Sequence, residues 1–190
     1  PGVGVFTATL INAGAAVVFV QAAALGYDGT ELQGAINEDK VAQAKLEAIR
    51  AFGAVRMGLA VDAAQAAKRP LTPKLVYVAP SKDYVSSSGT PVYSSDIDFL
   101  ARALSMGKLH HAIMGTASVA LAAAAAIPGT VVNTAAGGGS CGLVCFGHPS
   151  GTMRVGAEVR QSGGSWAVTR AVMSRSARVL MEGAVRVPDD

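Results

Sequence analysis

Residues 108–151 read KLHHAIMGTASVALAAAAAIPGTVVNTAAGGGSCGLVCFGHPSG, and from Ala112 to Met153 this run holds no Asp, Glu, Lys or Arg. Within it, Thr116 to Ile127 is almost all alanine, with Val119, Leu121 and Ile127, and ends at Pro128-Gly129. That composition predicts one helix of about three to four turns. A helix with no polar face is stable only where other elements surround it, and alanine lets them come close. It is too short for a membrane span, which takes roughly 20 apolar residues. The expectation is therefore a buried central helix.

Working outward, GVGVFTATLI and AVVFVQAAALG flank the turn Asn12-Ala13-Gly14 and read as neighbouring β-rich runs. Asn37 is placed to cap a helix running to about Phe52, with Val41, Leu46, Ile49 and Phe52 along one stripe. Past the polar loop KRPLTPK, a short strand is expected at Leu75–Ala79, then a long loop through SKDYVSSSGTPVYSS. DIDFLARALSMGKL fits either period and is taken as a narrow strand. Further strands are expected at Leu143–Phe146, Met153–Val159, Trp166–Val172 and Ala177–Met181, with QSGGS as a hairpin loop. The sum is an α+β chain whose strands wrap one helix.

The 190 residues are 51% hydrophobic and 15% charged, enough for a sizeable core. The net charge of +3 is carried by scattered lysines and arginines, so no nucleic-acid footprint is expected. Cys141 and Cys145 form neither a disulfide scaffold nor a zinc site, and a reducing, cytoplasmic setting follows. No metal and no cofactor are expected. The chain opens on Pro1 without a signal-like segment, which suggests a fragment or a processed product.

Two places could carry chemistry. Met114, Gly115, Thr116 and Ala117 begin the central helix, where free N–H groups and the positive dipole end suit a carboxylate; Lys108, His110 and His111 precede them. The plain alternative is that Thr116 caps the helix and the histidines are packed or solvated. Gly147-His148-Pro149-Ser150-Gly151 is a rigid turn that could present polar side chains or serve structure alone. AAGGGSCG lacks a phosphate loop's strand-to-helix setting and reads as a connection, while Cys145 between Val144 and Phe146 reads as packing more than as a reactive thiol.

At SMGKLHHAIMGTASVALAAAAAIPGT, FGHPSG and SRSARVLMEGAVRVP the chain resembles the 2-methylaconitate cis-trans isomerase family, and the likeness runs over nearly all 190 residues. The resemblance implies a diaminopimelate epimerase-like fold: two similar halves, each a barrel-like mixed sheet around a central hydrophobic helix, with the site in the cleft between them. Residues 1–190 would be a single C-terminal half, its N-terminal partner half being supplied in cis or as a separate chain.

The implied function is isomerisation of unsaturated tricarboxylic acids, foremost 2-methylaconitate in the 2-methylcitrate route of propionate breakdown, by removal and return of a proton beside a conjugated carboxylate. The alternatives are a sibling isomerase of oxalomesaconate, methylitaconate or aconitate, and a non-catalytic binding or assembly half of a split protein. The superfamily's Cys-Gly-Thr-Gly stands here as Met114-Gly115-Thr116-Ala117. A thioether cannot exchange a proton, so two-thiol racemisation is excluded at this helix. In the family the essential lysine and a proton-transfer cysteine lie on the other half. No catalytic residue is therefore assigned here, and the substrate-binding set is Lys108, His110, Met114, Gly115, Thr116, His148, Ser150 and Gly151. Where epimerase relatives carry Gly-Asn-Pro, this chain has Gly14-Ala15-Ala16, so that amide is missing or comes from Asn12. The expected partners are a small tricarboxylate and the companion half, without nucleic acid or membrane; self-association is left open.

Overall fold

The structure, a computed structural model, describes residues 3–175 and 177–188. Strand β1 (Ala8–Ala13) turns tightly into β2 (Ala15–Gln21). Four helices follow: α1 (Ala22–Leu25), α2 (Gln33–Asn37), α3 (Lys40–Arg56) and α4 (Ala63–Ala67). Then come β3 (Lys74–Pro80), the small pair β4 (Tyr84–Val85) and β5 (Pro91–Val92), a 3-10 turn at Ser94–Asp96, β6 (Phe99–Ser105) and β7 (Lys108–Leu109). The central helix α5 (Gly115–Ala126), α6 (Val131–Ala135), β8 (Leu143–His148), β9 (Gly151–Ser162) and β10 (Ser165–Met173) complete the order.

One mixed sheet runs β1-β2-β3-β6-β8-β9-β10, with β7 paired to β6. Alternation along the strands divides the core into two layers. Val17, Phe19, Val76, Val78, Phe99, Ala101 and Phe146 face α5, whereas Val18, Val20, Leu75, Tyr77 and Leu100 face the α1–α3 side. In α5, Ala117, Ala120, Leu121 and Ala122 to Ala125 are buried around the whole circumference. Ala120 and Ala123 through Ala125 are fully excluded from solvent, so any larger side chain there would overpack the wrapped sheet. This is the expected half barrel around a buried helix, and the strand readings at Leu75–Ala79 and within Asp96–Leu109 hold.

Four details differ from the sequence reading. The cap of α3 is Asp39, whose side chain accepts from Val41 N–H at 2.8 Å and Ala42 N–H at 3.0 Å. A carboxylate matches the helix dipole better than an amide. Asn37 instead mimics a strand partner, accepting from Leu109 N–H at 2.7 Å and donating back to Leu109 O at 3.3 Å. Val41 and Phe52 are exposed, because α3 lays Ala42, Leu46, Ile49 and Gly53 on the sheet. The loop after β3 contains the β4–β5 pair, closed by Ser86 N–H to Thr90 O at 2.9 Å. Ala177–Met181 is no strand; it is exposed and without a ladder partner among the described residues.

No helix among the described residues is long and apolar enough to cross a membrane, and no cluster of three metal-ligating side chains occurs among them.

Candidate functional site

The register places several chain segments at the N-terminal end of α5. β8 runs parallel to β6 with Gly147 opposite Leu100, so the turn after His148 heads toward the end of the sheet that carries Ser105 and β7. β3 runs antiparallel to β6, so Lys74 starts there as well. The β1–β2 turn closes the same end. Gly14 needs its φ of 71°, and a Cβ on it would stand 3.1 Å from Val119 and 3.2 Å from Thr116 O, against the first turns of α5.

Met114 occupies the N-cap position, in extended conformation and with no side-chain cap. Thr116 therefore lies inside the first turn and is not the cap. The amides of Gly115, Thr116 and Ala117 have no partner within the helix and carry its positive dipole end. Ser118, fully buried, bonds back to Gly115 O at 2.7 Å and does not compete for them.

The turn after β8 meets the two histidines before α5. Ser150 Oγ donates to His111 O, and Ser150 N–H donates to His148 Nδ1 at 3.2 Å. The strands extend further into GHPSG than expected: Gly147 and His148 end β8, Gly151 starts β9, and Pro149-Ser150 form the turn. Gly147 is required by close approach, since a Cβ there would be 2.9 Å from Ile97, Leu100 and Tyr84. Below it, Tyr84 Oη lies 2.7 Å from His148 O and 2.6 Å from Gly151 O, one proton shared between two carbonyls. Ser87 N–H donates to Pro149 O at 2.7 Å. The β4–β5 loop thus clamps the turn from outside.

His110 and His111 stack with ring centroids 4.5 Å apart, and Ala112 N–H donates to His110 Nδ1 at 3.0 Å. Burial lowers the His110 pKa, and the neighbouring His111 and Lys74 lower it further. His148 is buried on the α5 side beside Phe146, 6.0 Å between ring centroids. Burial brings its pKa down to about 4, helped by the Arg102 guanidinium. At neutral pH both rings are neutral, suited to hydrogen bonding rather than to charge.

The structure thus gathers His110, Met114, Gly115, Thr116, His148, Ser150 and Gly151 at one end. Lys108 lies on β7 opposite Ser105 at that end of the sheet, with its side chain exposed and no hydrogen bond to these residues among the described ones. Asn12 lines a cavity of about 680 Å³ between β1 and β10 with Val119, alongside α5 rather than at its tip. A second cavity of about 860 Å³ lies between α3 and residues 3–10. Neither of these two cavities contains any of the eight expected binding residues.

Three residues escaped the sequence reading. Lys74 was lost in a polar loop, yet its Nζ donates to Ser105 Oγ at 2.8 Å, and burial followed by Arg50 lowers its pKa. Arg175 fell between two expected strands and was given no role, yet its Nη1 stands 3.4 Å from the Cβ position on Gly115. Arg102 passed as an ordinary strand residue, but it is fully buried. Its Nε donates to Glu31 O at 2.7 Å, its Nη1 to Ala101 O at 3.0 Å and Gly147 O at 3.3 Å, and its guanidinium lies 5.1 Å from the Tyr84 ring centre. It ties β6 to the end of β8 just before His148. A charged residue between two apolar ones, as in Ala101-Arg102-Ala103, was the only signal available.

Comparison with known proteins bears on what this face does. The model of the PrpF protein family matches residues 1–188. The chain is 63% identical over 188 residues to a 2-methyl-aconitate isomerase of Shewanella oneidensis, covering 99% of this chain and 47% of that protein. It is 61% identical over 190 residues to a 2-methyl-aconitate isomerase of Cupriavidus necator, covering 100% and 48%. A solved methylitaconate-delta-isomerase superposes with a TM-score of 0.76 at 29% identity, covering 88% of this chain and 46% of that one. The chain spans about half the length of the curated relatives it matches.

Proposed function

Since the chain belongs to the PrpF protein family, we propose that it supplies the substrate-binding half of an isomerase of unsaturated tricarboxylic acids, with 2-methylaconitate as substrate. The observation that carries the reading is identity of 61–63% across essentially the whole chain to two 2-methyl-aconitate isomerases. The geometry agrees with it in kind. Free amides at the start of α5, the Arg175 guanidinium beside them and neutral imidazoles nearby make a donor-rich face for carboxylate oxygens.

Such a reaction removes a proton next to a conjugated carboxylate, lets the delocalised anion rotate, and returns the proton. Donors already in place where negative charge accumulates lower the barrier without reorganisation. Gly115, Thr116, Ser150 and Arg175 would do this. Met114 has no proton to exchange, and the neutral histidines are assigned to binding; the proton-transfer groups are then assigned to the companion half, taken here as N-terminal and facing this end of α5. The setting we infer is the cytoplasm, on the 2-methylcitrate route of propionate breakdown, without a cofactor.

The likeness to a methylitaconate-delta-isomerase favours one rival, a shift of the double bond in a related acid. Assays of the full-length protein on 2-methylaconitate, methylitaconate, oxalomesaconate and trans-aconitate separate the two. We expect the highest kcat/KM on 2-methylaconitate. No turnover of that acid, with turnover of a sibling, would overturn the choice.

A further inference from the structure

Gly115 opens α5, and two side chains from the end of β10 converge over it. A carbon on Gly115 would stand 3.4 Å from Arg175 Nη1 and 3.8 Å from Met173 Cε. Met173 is held in place from the other side, its sulfur 3.9 Å from Ser118 Oγ. Met173 and Met114 both pack partly against the core around α5 and keep part of their surface open. The first turn of the helix is thus flanked by a guanidinium and the Met173 thioether, with Met114 at its N-cap. None of the ion pairs among the described residues uses Arg175.

A cation beside the positive end of a helix is unfavourable unless an anion lies between them. A thioether beside that anion offers a polarisable apolar surface rather than a further donor. We propose that Met173, together with Met114, forms a wall that reads a methyl substituent on the bound acid, while Arg175 anchors the adjoining carboxylate. This rests on the substrate class given above and adds its selectivity. Met173 and Met114 are specificity-determining residues, and Arg175 is an affinity residue that does not distinguish methylated from unmethylated acids.

The probe pair is methylmaleate and maleate, which share two carboxylates and differ by one methyl, with binding to the full-length protein measured by calorimetry. A methyl seated on the wall should favour methylmaleate by about fourfold. Met173→Ala should bring the ratio to about one, and Met173→Gln, which keeps the volume but not the apolar surface, should do the same. Met173→Leu should keep the preference. Arg175→Gln should weaken both acids by about tenfold and leave the ratio alone. An unchanged ratio in folded Met173→Ala or Met173→Gln, or no preference in the native protein, would overturn the proposal. If the ratios behave as stated but 2-methylaconitate is not isomerised, the wall stands and the substrate assignment falls.

Discussion

Replacing Gly115 by alanine separates the role of this residue in folding from its role in binding. The added methyl carbon would meet Arg175 Nη1 at 3.4 Å and Met173 Cε at 3.8 Å, both at the ends of flexible side chains. Nothing in the fold has to move. Gly115 has an ordinary helical backbone, and alanine is the better helix former, by at most about 1 kcal/mol. Stability should therefore hold or rise slightly. The same methyl fills the gap between the helix amides and the guanidinium, where an acid's oxygens would sit. Losing one charge-assisted hydrogen bond costs about 2 kcal/mol, or about 30-fold in affinity. Denaturant melts and calorimetry with a tricarboxylate, run on the same full-length preparation, give both numbers. Affinity unchanged at full stability would refute the placement of the acid over Gly115.

Other outcomes follow from the packing and the protonation states. Gly53→Ala in α3 gains helix propensity, but its Cβ would lie 2.4 Å from Val18 Cγ2, a stiff buried side chain, so overpacking of about 1–3 kcal/mol should win and lower the Tm. Arg102→Ala should cost about 1–3 kcal/mol for each buried carbonyl it strands among Glu31, Ala101 and Gly147, and Arg102→Lys should not restore it, since an ammonium lacks the planar fork. The pKa of His148 falls to about 4 in the folded chain, below the ordinary 6.5, so the unfolded chain binds the extra proton first. Its contribution is present above pH 6.5 and lost as the pH falls toward 4. His148→Asn, which can still accept from Ser150 N–H, should flatten urea stability over that window relative to the native protein.

Much of this architecture was readable because composition alone dictated it. The alanine run at 117–126 has no solvent face to offer, so a surrounding sheet followed, and the Pro128-Gly129 stop fixed its end. Local chemistry was harder. Asn37 and Asp39 are both good caps, and only the tertiary pairing of Asn37 with Leu109 decides between them. Val41 and Phe52 fit a helical stripe, but close contact of Gly53 with Val18 rotates α3 to another face. Ala177–Met181 has strand composition and no neighbour to pair with among the described residues. The site was legible as two segments, one before α5 and one at GHPSG, and the link between them, Ser150 to His111, spans 39 positions that no local pattern measures. Lys74 and Arg175 reach it only through strand register.

The central claim, that the start of α5 receives a polycarboxylate, is tested most directly by following backbone amide resonances of the full-length protein during titration with a tricarboxylate. The largest shifts are predicted at Gly115, Thr116, Ala117 and Ser150. Shifts confined to the groove under α3 or to the seam between β1 and β10, with these four unmoved, would contradict the account.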